Sequence, residues 1–148
     1  MENIPVFRGS NQNFGLSFVP GTWVESIQIS KGSGTVTNGY ESISGQINTE
    51  LIKPQTAPSL FFNLFRSLNG RNEINLHGSK KVNDNFSSSL FLHANNRTQK
   101  NDKNKDGFLD FPIVKQINLL NRWQYLNSKK GIIGSVSYTH LTLPTSSW

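Results

Sequence analysis

The sequence contains no cysteine, so neither a disulfide nor a thiolate metal site can form. No run approaches the ~18 consecutive apolar residues of a membrane-spanning helix, and no charged-then-apolar signal segment opens the chain. Only 34% of the 148 residues are hydrophobic. These absences alone would indicate one soluble domain. They do not exclude a protein that crosses a membrane with strands, because such strands alternate in polarity and give a weak hydropathy signal.

Basic charge is not concentrated anywhere, although the formal net charge is +6. The only tight basic pairs, Lys80–Lys81 and Lys129–Lys130, fall in segments predicted to be turns. A nucleic-acid site would need a basic stripe interleaved with stacking aromatic residues. The sequence has no such stripe, so we expect no nucleic-acid partner.

Alternation with a period of two is widespread, whereas helical periodicity is scarce. Between Phe86 and Asn95 one parity is mainly apolar, and the other is polar except for Phe91. Five strands are predicted, over residues 60–68, 71–79, 86–95 and 117–125 and after a turn at 127–131. The facing of the first strand stays open, because it is rich in aromatic residues throughout.

The connections predict an up-and-down antiparallel meander. Asn69–Gly70 is typical of a tight hairpin. Residues 81–85 and 127–131 form short turns, and residues 97–112 form a long polar loop. Alternation of this kind fits either a soluble sandwich or a membrane barrel.

The residues on the two predicted faces favour the barrel. One face carries polar side chains that suit a wet lumen: Glu73, His77, His93 and Arg122. The other face is apolar and ends in Trp123 and Tyr125, which suit an interfacial aromatic girdle.

A glycine-rich loop lies between two further predicted strands, over residues 24–31 and 45–53. No helix follows the loop, Thr37 stands at the third glycine position of the dinucleotide fingerprint, and no Gly-Lys-Ser/Thr closes it. Phosphate binding is therefore disfavoured. Gly32, Gly34 and Gly39 are better explained by a tight reversal that needs positive φ or close backbone approach.

This segment resembles the end of the plug domain of TonB-dependent outer-membrane receptors. The matching stretches are Glu25-Ser26-Ile27, Lys31-Gly32, Gly39-Tyr40-Glu41 and Ser44-Gly45-Gln46-Ile47-Asn48, in the family's order and spacing. Asp106-Gly107-Phe108 and residues 121–125 resemble the early barrel of a subset of these receptors. The likeness extends over residues 4–134.

The resemblance implies an all-β chain in which the C-terminal part of a plug (residues 1–54) precedes the first strands of an incomplete antiparallel transmembrane β-barrel (residues 55–135). It implies a receptor in outer-membrane lipid that imports a scarce solute, such as a siderophore, a metal complex, a cobalamin or an oligosaccharide. The energy-transducing TonB protein would be a partner through an upstream segment. The residues of the plug motif are Glu25, Lys31, Gly32, Gly39, Gly45, Ile47 and Asn48. Glu25, Lys31 and Glu41 are candidates for ion pairs between plug and barrel.

The sequence is expected to be part of a longer receptor. Five strands cannot close a barrel, and an open sheet edge in lipid leaves backbone polar groups unsatisfied at several kcal/mol each. A signal peptide, a TonB-contacting segment and the rest of the plug would lie upstream of Met1. Residues 136–145 resemble a translated transposon-end sequencing adapter, so residues 136–148 are expected to be an artefact, either disordered or arbitrarily placed.

An acidic segment has the oxygen-ligand spacing of a calcium loop: Asp102, Asn104, Asp106 and Asp110, with Gly107 at the sixth position. Ile113 replaces the bidentate Glu of the twelfth position, and no flanking helices are expected. The segment is either a weak Ca²⁺ site or a polar turn built from Asx residues. No other cofactor is expected.

Catalysis is not expected, because no Ser/His/Asp grouping and no carboxylate pair has catalytic spacing. His77 and His93 are expected to form hydrogen bonds rather than to bind metal. A soluble, secreted carbohydrate-binding module is the main alternative, and it would pack Leu90, Leu92, Ile117 and Leu119 against a second sheet. A porin without energy coupling is a third possibility, against which the plug motif argues.

Overall fold

The computed structural model describes residues 19–33, 45–100, 102–111, 113–127 and 131–143, with the backbone alone at residues 127, 132, 133 and 135–143. Its strands are all antiparallel, which confirms the all-β class. No helix in these ranges is long and apolar enough to cross a membrane. The chain divides into two units, Met1–Lys53 and Pro54–Trp148.

The first unit contains a two-stranded antiparallel hairpin. A short 3-10 turn, Gly21–Trp23, leads into β1 (Val24–Lys31), which pairs with β2 (Gly45–Leu51). Trp23 and Leu51 are its buried apolar side chains. Residues 34–44 lie outside the described residues, so the tight reversal predicted between the strands stays a prediction.

The second unit is a five-stranded meander in which each strand pairs with the next. Its strands are β3 (Leu60–Arg66), β4 (Arg71–Asn83), β5 (Phe86–Arg97), β6 (Val114–Asn127) and β7 (Gly131–Leu143). The predicted order and pairing are confirmed. The strands β4 to β6 extend beyond the ranges predicted, because their ends are polar and lack the apolar alternation that the prediction used.

The hairpin predicted at Asn69–Gly70 is confirmed. The amide of Ser67 donates to the carbonyl of Arg71 at 2.8 Å, and the amide of Gly70 donates to the carbonyl of Ser67 at 3.1 Å. Gly70 has a φ of +76°, the left-handed conformation that closes a three-residue hairpin loop.

The connection between β4 and β5 is shorter than predicted. Asn83 pairs with Phe86, which leaves only Asp84 and Asn85 between the strands. Lys80 and Lys81 were predicted in this turn, but they lie in β4, opposite Ser88 and Ser87. Pairing requires backbone groups alone, so a basic pair continues the strand where its side chains reach solvent.

Residues 136–143, expected to be disordered or arbitrarily placed, have a described backbone, and their expected origin as an artefact stays a prediction. These residues belong to β7, whose backbone pairs with β6 from Val136 opposite Arg122 to Leu143 opposite Lys115. A strand can add to a sheet edge through its amides and carbonyls whatever its side chains are. Residues 144–148 lie outside the described residues.

The meander is polar where it is buried and apolar where it is exposed. The polar face carries buried side chains that alternate along the strands: Asn75, His77, Ser87, Ser89, His93, Gln116, Asn118, Arg122 and Gln124, with Phe91 and Leu120 among them. The apolar face carries exposed side chains: Leu60, Phe62, Leu64, Ile74, Leu76, Leu90, Ile117, Leu119 and Trp123. Sheets of water-soluble proteins show the opposite arrangement.

Candidate functional site

A ladder of polar side chains crosses the polar face in one register row. Asn63 of β3 lies opposite Asn75 of β4, Asn75 opposite His93 of β5, and His93 opposite Asn118 of β6. Asn75 Nδ2 donates to Asn63 Oδ1 at 3.3 Å, and His93 Nδ1 lies 2.7 Å from Asn75 Oδ1. Three strands are therefore connected through one amide side chain.

An ion pair extends this ladder by one row. Arg71 Nη2 lies 2.6 Å from Glu73 Oε2, and Glu73 Oε1 accepts a bond from Asn75 Nδ2 at 3.2 Å. His93 Nδ1 lies 3.7 Å from Glu73 Oε1. We call Arg71, Glu73, Asn75 and His93 the polar network. Buried polar groups need such partners, because an unpaired one costs about 1–3 kcal/mol.

The next row is aromatic. The rings of Phe61 and His77 are 4.5 Å apart, and those of His77 and Phe91 are 5.2 Å apart and nearly parallel. Phe91 is fully buried, and Leu120 lies opposite it on β6. Phe91 is thus the apolar exception among the polar alternate positions of β5, because its row forms an apolar layer within the polar face.

Small hydroxyl side chains occupy the polar face towards the β4–β5 turn. Ser79 Oγ and Ser89 Oγ are 2.7 Å apart. A cavity of about 260 Å³ lies beyond them, lined in part by Lys81, Asp84 and Ser87. Ser87 Oγ is buried without a hydrogen-bond partner in the described part of the chain. The cavity has room for water that would hydrate this hydroxyl.

A hydrogen bond of the kind predicted for the two histidines is seen at His93. His77 and His93 lie on adjacent strands of the same face; His93 Nδ1 lies 2.7 Å from Asn75 Oδ1, whereas His77 Nδ1 is buried without a hydrogen-bond partner in the described part of the chain. Across the described ranges no group of three or more His, Asp or Glu side chains could hold a metal ion. The sequence reasoning missed Asn63, Asn75 and Asn118. The signal for them is that Asn recurs at the polar alternate positions of the predicted strands. The Asn69–Gly70 hairpin places Asn63 opposite Asn75, and the β5–β6 pairing adds Asn118 to the row.

The apolar face is costly in water. Nine of its large side chains are exposed. Burying such a side chain fully stabilises a protein by about 1.5–3 kcal/mol, so half-exposure of nine forgoes roughly 10 kcal/mol. That total is comparable to the entire stability of a typical domain, about 5–15 kcal/mol. An apolar medium against this face would recover it.

The residues of the plug motif lie on the β1–β2 hairpin and its loop. Lys31 pairs with Gly45, next to Gly32 with its φ of +85°. Gly45 has a φ of +131°, and a Cβ there would lie 2.9 Å from the carbonyl oxygen of Ser30, so this position requires glycine.

The other motif positions differ in burial. Glu25 and Lys31 are exposed, Ile47 is exposed, and Asn48 is buried with its Nδ2 3.4 Å from Gln28 Oε1. Gly34, Gly39 and Glu41 lie outside the described residues. The ion pairs expected of Glu25, Lys31 and Glu41 stay predictions.

The acidic segment forms a loop held by its own carboxylates. Asp102 Oδ2 accepts from the Gly107 amide at 3.1 Å, Asp106 Oδ1 from the Phe108 amide at 2.8 Å, and Asp110 Oδ2 from the Lys103 amide at 3.0 Å. Asn104 Nδ2 donates to Asp106 Oδ2 at 2.7 Å. These bonds match the polar turn of the two alternatives, and calcium binding stays a prediction.

No protein-family model, curated protein or solved structure matches the chain. Two features of the molecule bear on its function. One is the inverted polarity of the meander. The other is the motif carried by the β1–β2 hairpin.

Proposed function

We propose that this chain is the end of a plug domain and the first transmembrane strands of a TonB-dependent outer-membrane receptor. The receptor would bind a scarce solute outside the cell and import it with energy delivered by TonB. In this proposal the apolar face of the meander contacts lipid, and the polar face encloses the lumen. The ligand would be one of the small solutes named above.

The inverted polarity of the meander carries the proposal. Buried polar side chains and exposed apolar ones are unfavourable together in water, since each apolar group forgoes burial and each polar group needs a partner. The same arrangement is favourable in a membrane barrel, where strands alternate between an outward apolar and an inward polar side chain. The polar network supplies partners for Asn75 and His93 on this face. His77 Nδ1, Gln116 Nε2 and Gln124 Oε1 are buried there without a hydrogen-bond partner in the described part of the chain.

The dimensions of the strands also support it. The strand β4 has 13 residues, so it spans roughly 44 Å along its axis and roughly 31 Å across a membrane at a 45° tilt, close to the ~30 Å hydrocarbon core. On β6 the apolar face runs from Ile117 to Tyr125, a height of roughly 20 Å at the tilt of such barrels. Outer-membrane barrels have an apolar band about 25 Å tall.

The β1–β2 hairpin supports the plug assignment. The two stretches that resemble the family, around Glu25–Lys31 and Gly45–Asn48, lie on paired strands. The family has short turns on one side of the membrane and longer loops on the other. Here the short β3–β4 turn lies at the same end of the sheet as the long loop after β5, and the short β4–β5 turn lies at the opposite end, so the fit is only partial. The long loop would be external, together with the β3–β4 turn.

The soluble carbohydrate-binding alternative has less support. It requires Leu90, Ile117 and Leu119 to pack against a second sheet, whereas all three are exposed. A hydrogen-bonded interior is also unnecessary for a sandwich, whose inner faces are normally apolar.

Because the chain has no cysteine, a single introduced cysteine can be labelled specifically, which allows a direct test of lipid contact. Leu119 and Leu120 are adjacent on β6 and point to opposite faces, the first exposed and the second buried. Each is replaced by cysteine in turn (Leu119→Cys, Leu120→Cys), labelled with a small fluorophore and reconstituted in bilayers of brominated phosphatidylcholine. We expect strong quenching at position 119 and little at position 120.

A second matched pair, Leu90→Cys and Ser89→Cys on β5, repeats the test on another strand. Quenching should follow the exposed member of each pair. Equal quenching within both pairs, or none at either exposed position, would refute lipid contact and with it the proposed receptor.

A further inference from the structure

The apolar face ends in a basic margin beside the β3–β4 hairpin. Arg66 of β3 lies opposite Asn72 of β4, Asn72 opposite Asn96 of β5, and Asn96 opposite Lys115 of β6. All four side chains are exposed. We call this register row the basic row.

The basic row directly adjoins the apolar band. Two residues further along each strand, the same face carries Leu64, Ile74, Ala94 and Ile117. Strands lie about 4.8 Å apart, so Arg66 and Lys115 are roughly 14 Å apart with two amide side chains between them. The row thus offers two cations and two amide donors along one edge of an apolar surface.

Charge on this face is of one sign. Along β3 to β6, within the described residues, its charged side chains are Arg66, Lys80 and Lys115, and no Asp or Glu is present. None of the three has an acidic partner within 4 Å in the described part of the chain. The acid of these strands, Glu73, lies on the polar face, in an ion pair with Arg71.

The opposite margin has a different character. Lys80 shares a row with Ser88 and Trp123, and the Trp123 ring stacks on Phe86 at 5.2 Å. Aromatic side chains favour the membrane interface without regard to headgroup charge. The basic row carries two cations, whereas this margin carries Lys80 alone on the same face of β3 to β6 within the described residues.

We propose that the basic row binds the phosphate groups of anionic lipids, so that the meander prefers an anionic lipid surface at this margin. The inference rests on the proposed function, since it needs the apolar face to be immersed in lipid. Arg66 and Lys115 supply the attraction, and Asn72 and Asn96 donate hydrogen bonds to phosphate oxygens between them. Arginine in particular presents a fork of donors that matches phosphate.

The test measures partition of the whole 148-residue chain into two kinds of vesicle at low ionic strength. One kind is phosphatidylcholine alone, and the other contains phosphatidylglycerol in addition. We expect the unaltered chain to bind both and to prefer the anionic vesicles. Each cation near an anionic surface contributes about fivefold in affinity, so the double variant Arg66→Gln/Lys115→Gln should lose about 25-fold of that preference.

Two controls separate the basic row from net charge. Lys31→Gln/Lys103→Gln removes the same charge from exposed positions on the other unit and in the loop after β5, and it should keep most of the preference. Arg66→Lys/Lys115→Arg keeps the charge of the row and should also keep most of it. Far-UV circular dichroism in phosphatidylcholine vesicles reports whether each variant folds.

The outcomes distinguish the two proposals. Failure of the unaltered chain to bind either kind of vesicle would show that its exposed apolar face has no affinity for lipid, and would overturn the proposed function. Equal partition into both kinds, or equal losses in the basic-row and control variants, would leave lipid contact standing and overturn the headgroup site.

Discussion

Asn75 is the residue on which the polar face depends most. Its Nδ2 donates to Asn63 and Glu73, and its Oδ1 lies 2.7 Å from His93 Nδ1. An amide suits this position because it offers a donor and an acceptor at once, whereas a carboxylate offers acceptors only when ionised. The side chain is fully buried, so water cannot replace these bonds.

Replacing Asn75 by Ala should therefore destabilise the fold. The change leaves buried groups on Asn63, Glu73 and His93 without this partner, at a cost of about 1–3 kcal/mol. Chemical denaturation of the chain reconstituted in lipid measures the difference. Thr98→Ala, at an exposed position after β5, should stay within about 0.5 kcal/mol. Similar values for both variants would show that the bonds of Asn75 contribute nothing.

Gly70 is constrained by both its backbone and its surroundings. Its φ is +76°, and a Cβ there would lie 2.6 Å from the Cβ and Oε1 atoms of Gln99. Gly131 also has a positive φ, +90°, but a Cβ there would meet no atom within 4 Å. The two glycines therefore separate conformational strain from a steric clash.

We expect Gly131→Ala to cost about 1–2 kcal/mol, the penalty of a left-handed conformation for an L-residue. Gly70→Ala should cost more, because Gln99 must also move. Unfolding free energies of the two variants, measured under identical conditions, test this. Equal values would mean that the contact with Gln99 adds no constraint.

At the scale of the element, the strands were predictable where one face is apolar. Alternation located β4 to β6, aromatic content located β3, and Asn69–Gly70 located a hairpin, because burial and turn geometry act on neighbouring residues. Strand ends such as Lys80–Lys81 were missed, since solvent removes the apolar signal there. The row that joins Asn63, Asn75 and His93 depends on register across three strands, which single-strand alternation does not specify.

The loop after β5 is stabilised locally by Asp102. Because Asp102 Oδ2 accepts from the Gly107 amide, Asp102→Asn should preserve this bond and Asp102→Ala should remove it. A bond worth about 0.5–1.5 kcal/mol corresponds to roughly 2–10-fold faster hydrogen exchange at the Gly107 amide in Asp102→Ala. Equal exchange in the two variants would contradict this role.

Calcium titration tests the other alternative for the same loop. A site of this type in an extracellular module binds calcium with a dissociation constant of about 10⁻⁴–10⁻³ M. Heat at millimolar Ca²⁺ from the intact receptor, lost in Asp102→Asn, would support the metal site. If the unaltered protein gives no heat with Ca²⁺, the calcium site is excluded and the polar turn is the remaining alternative.

At the scale of the whole molecule, the polarity of the two faces bears on the solvent that each one would meet. The chain divides into two units after Lys53, and the expected identities of the segments on either side of residue 54 stay predictions. From the sequence, a membrane barrel could only be favoured over a soluble sandwich, because both show the same alternation of apolar and polar residues. Exposure of the individual side chains supports the proposed lipid contact.

Leu119 lies in the middle of the apolar face, in the row with Leu76 and Leu92. An arginine near the midplane of a bilayer destabilises a transmembrane barrel by about 2–4 kcal/mol, whereas one near the interface costs about 0–1 kcal/mol. In water an exposed Leu→Arg change stays within about 0.5 kcal/mol. Leu119→Arg should thus be costly only if this face meets hydrocarbon.

Reversible unfolding of the chain in phospholipid bilayers measures this cost, with Ser88→Arg as the matched change near the Trp123 margin. We expect Leu119→Arg to cost about 1–4 kcal/mol more than Ser88→Arg, the difference between midplane and interfacial arginines. The depth dependence is informative because a clash or lost packing would not scale with distance from the margin. Small and equal losses at both positions would place the apolar face in water, and the proposed barrel could not stand.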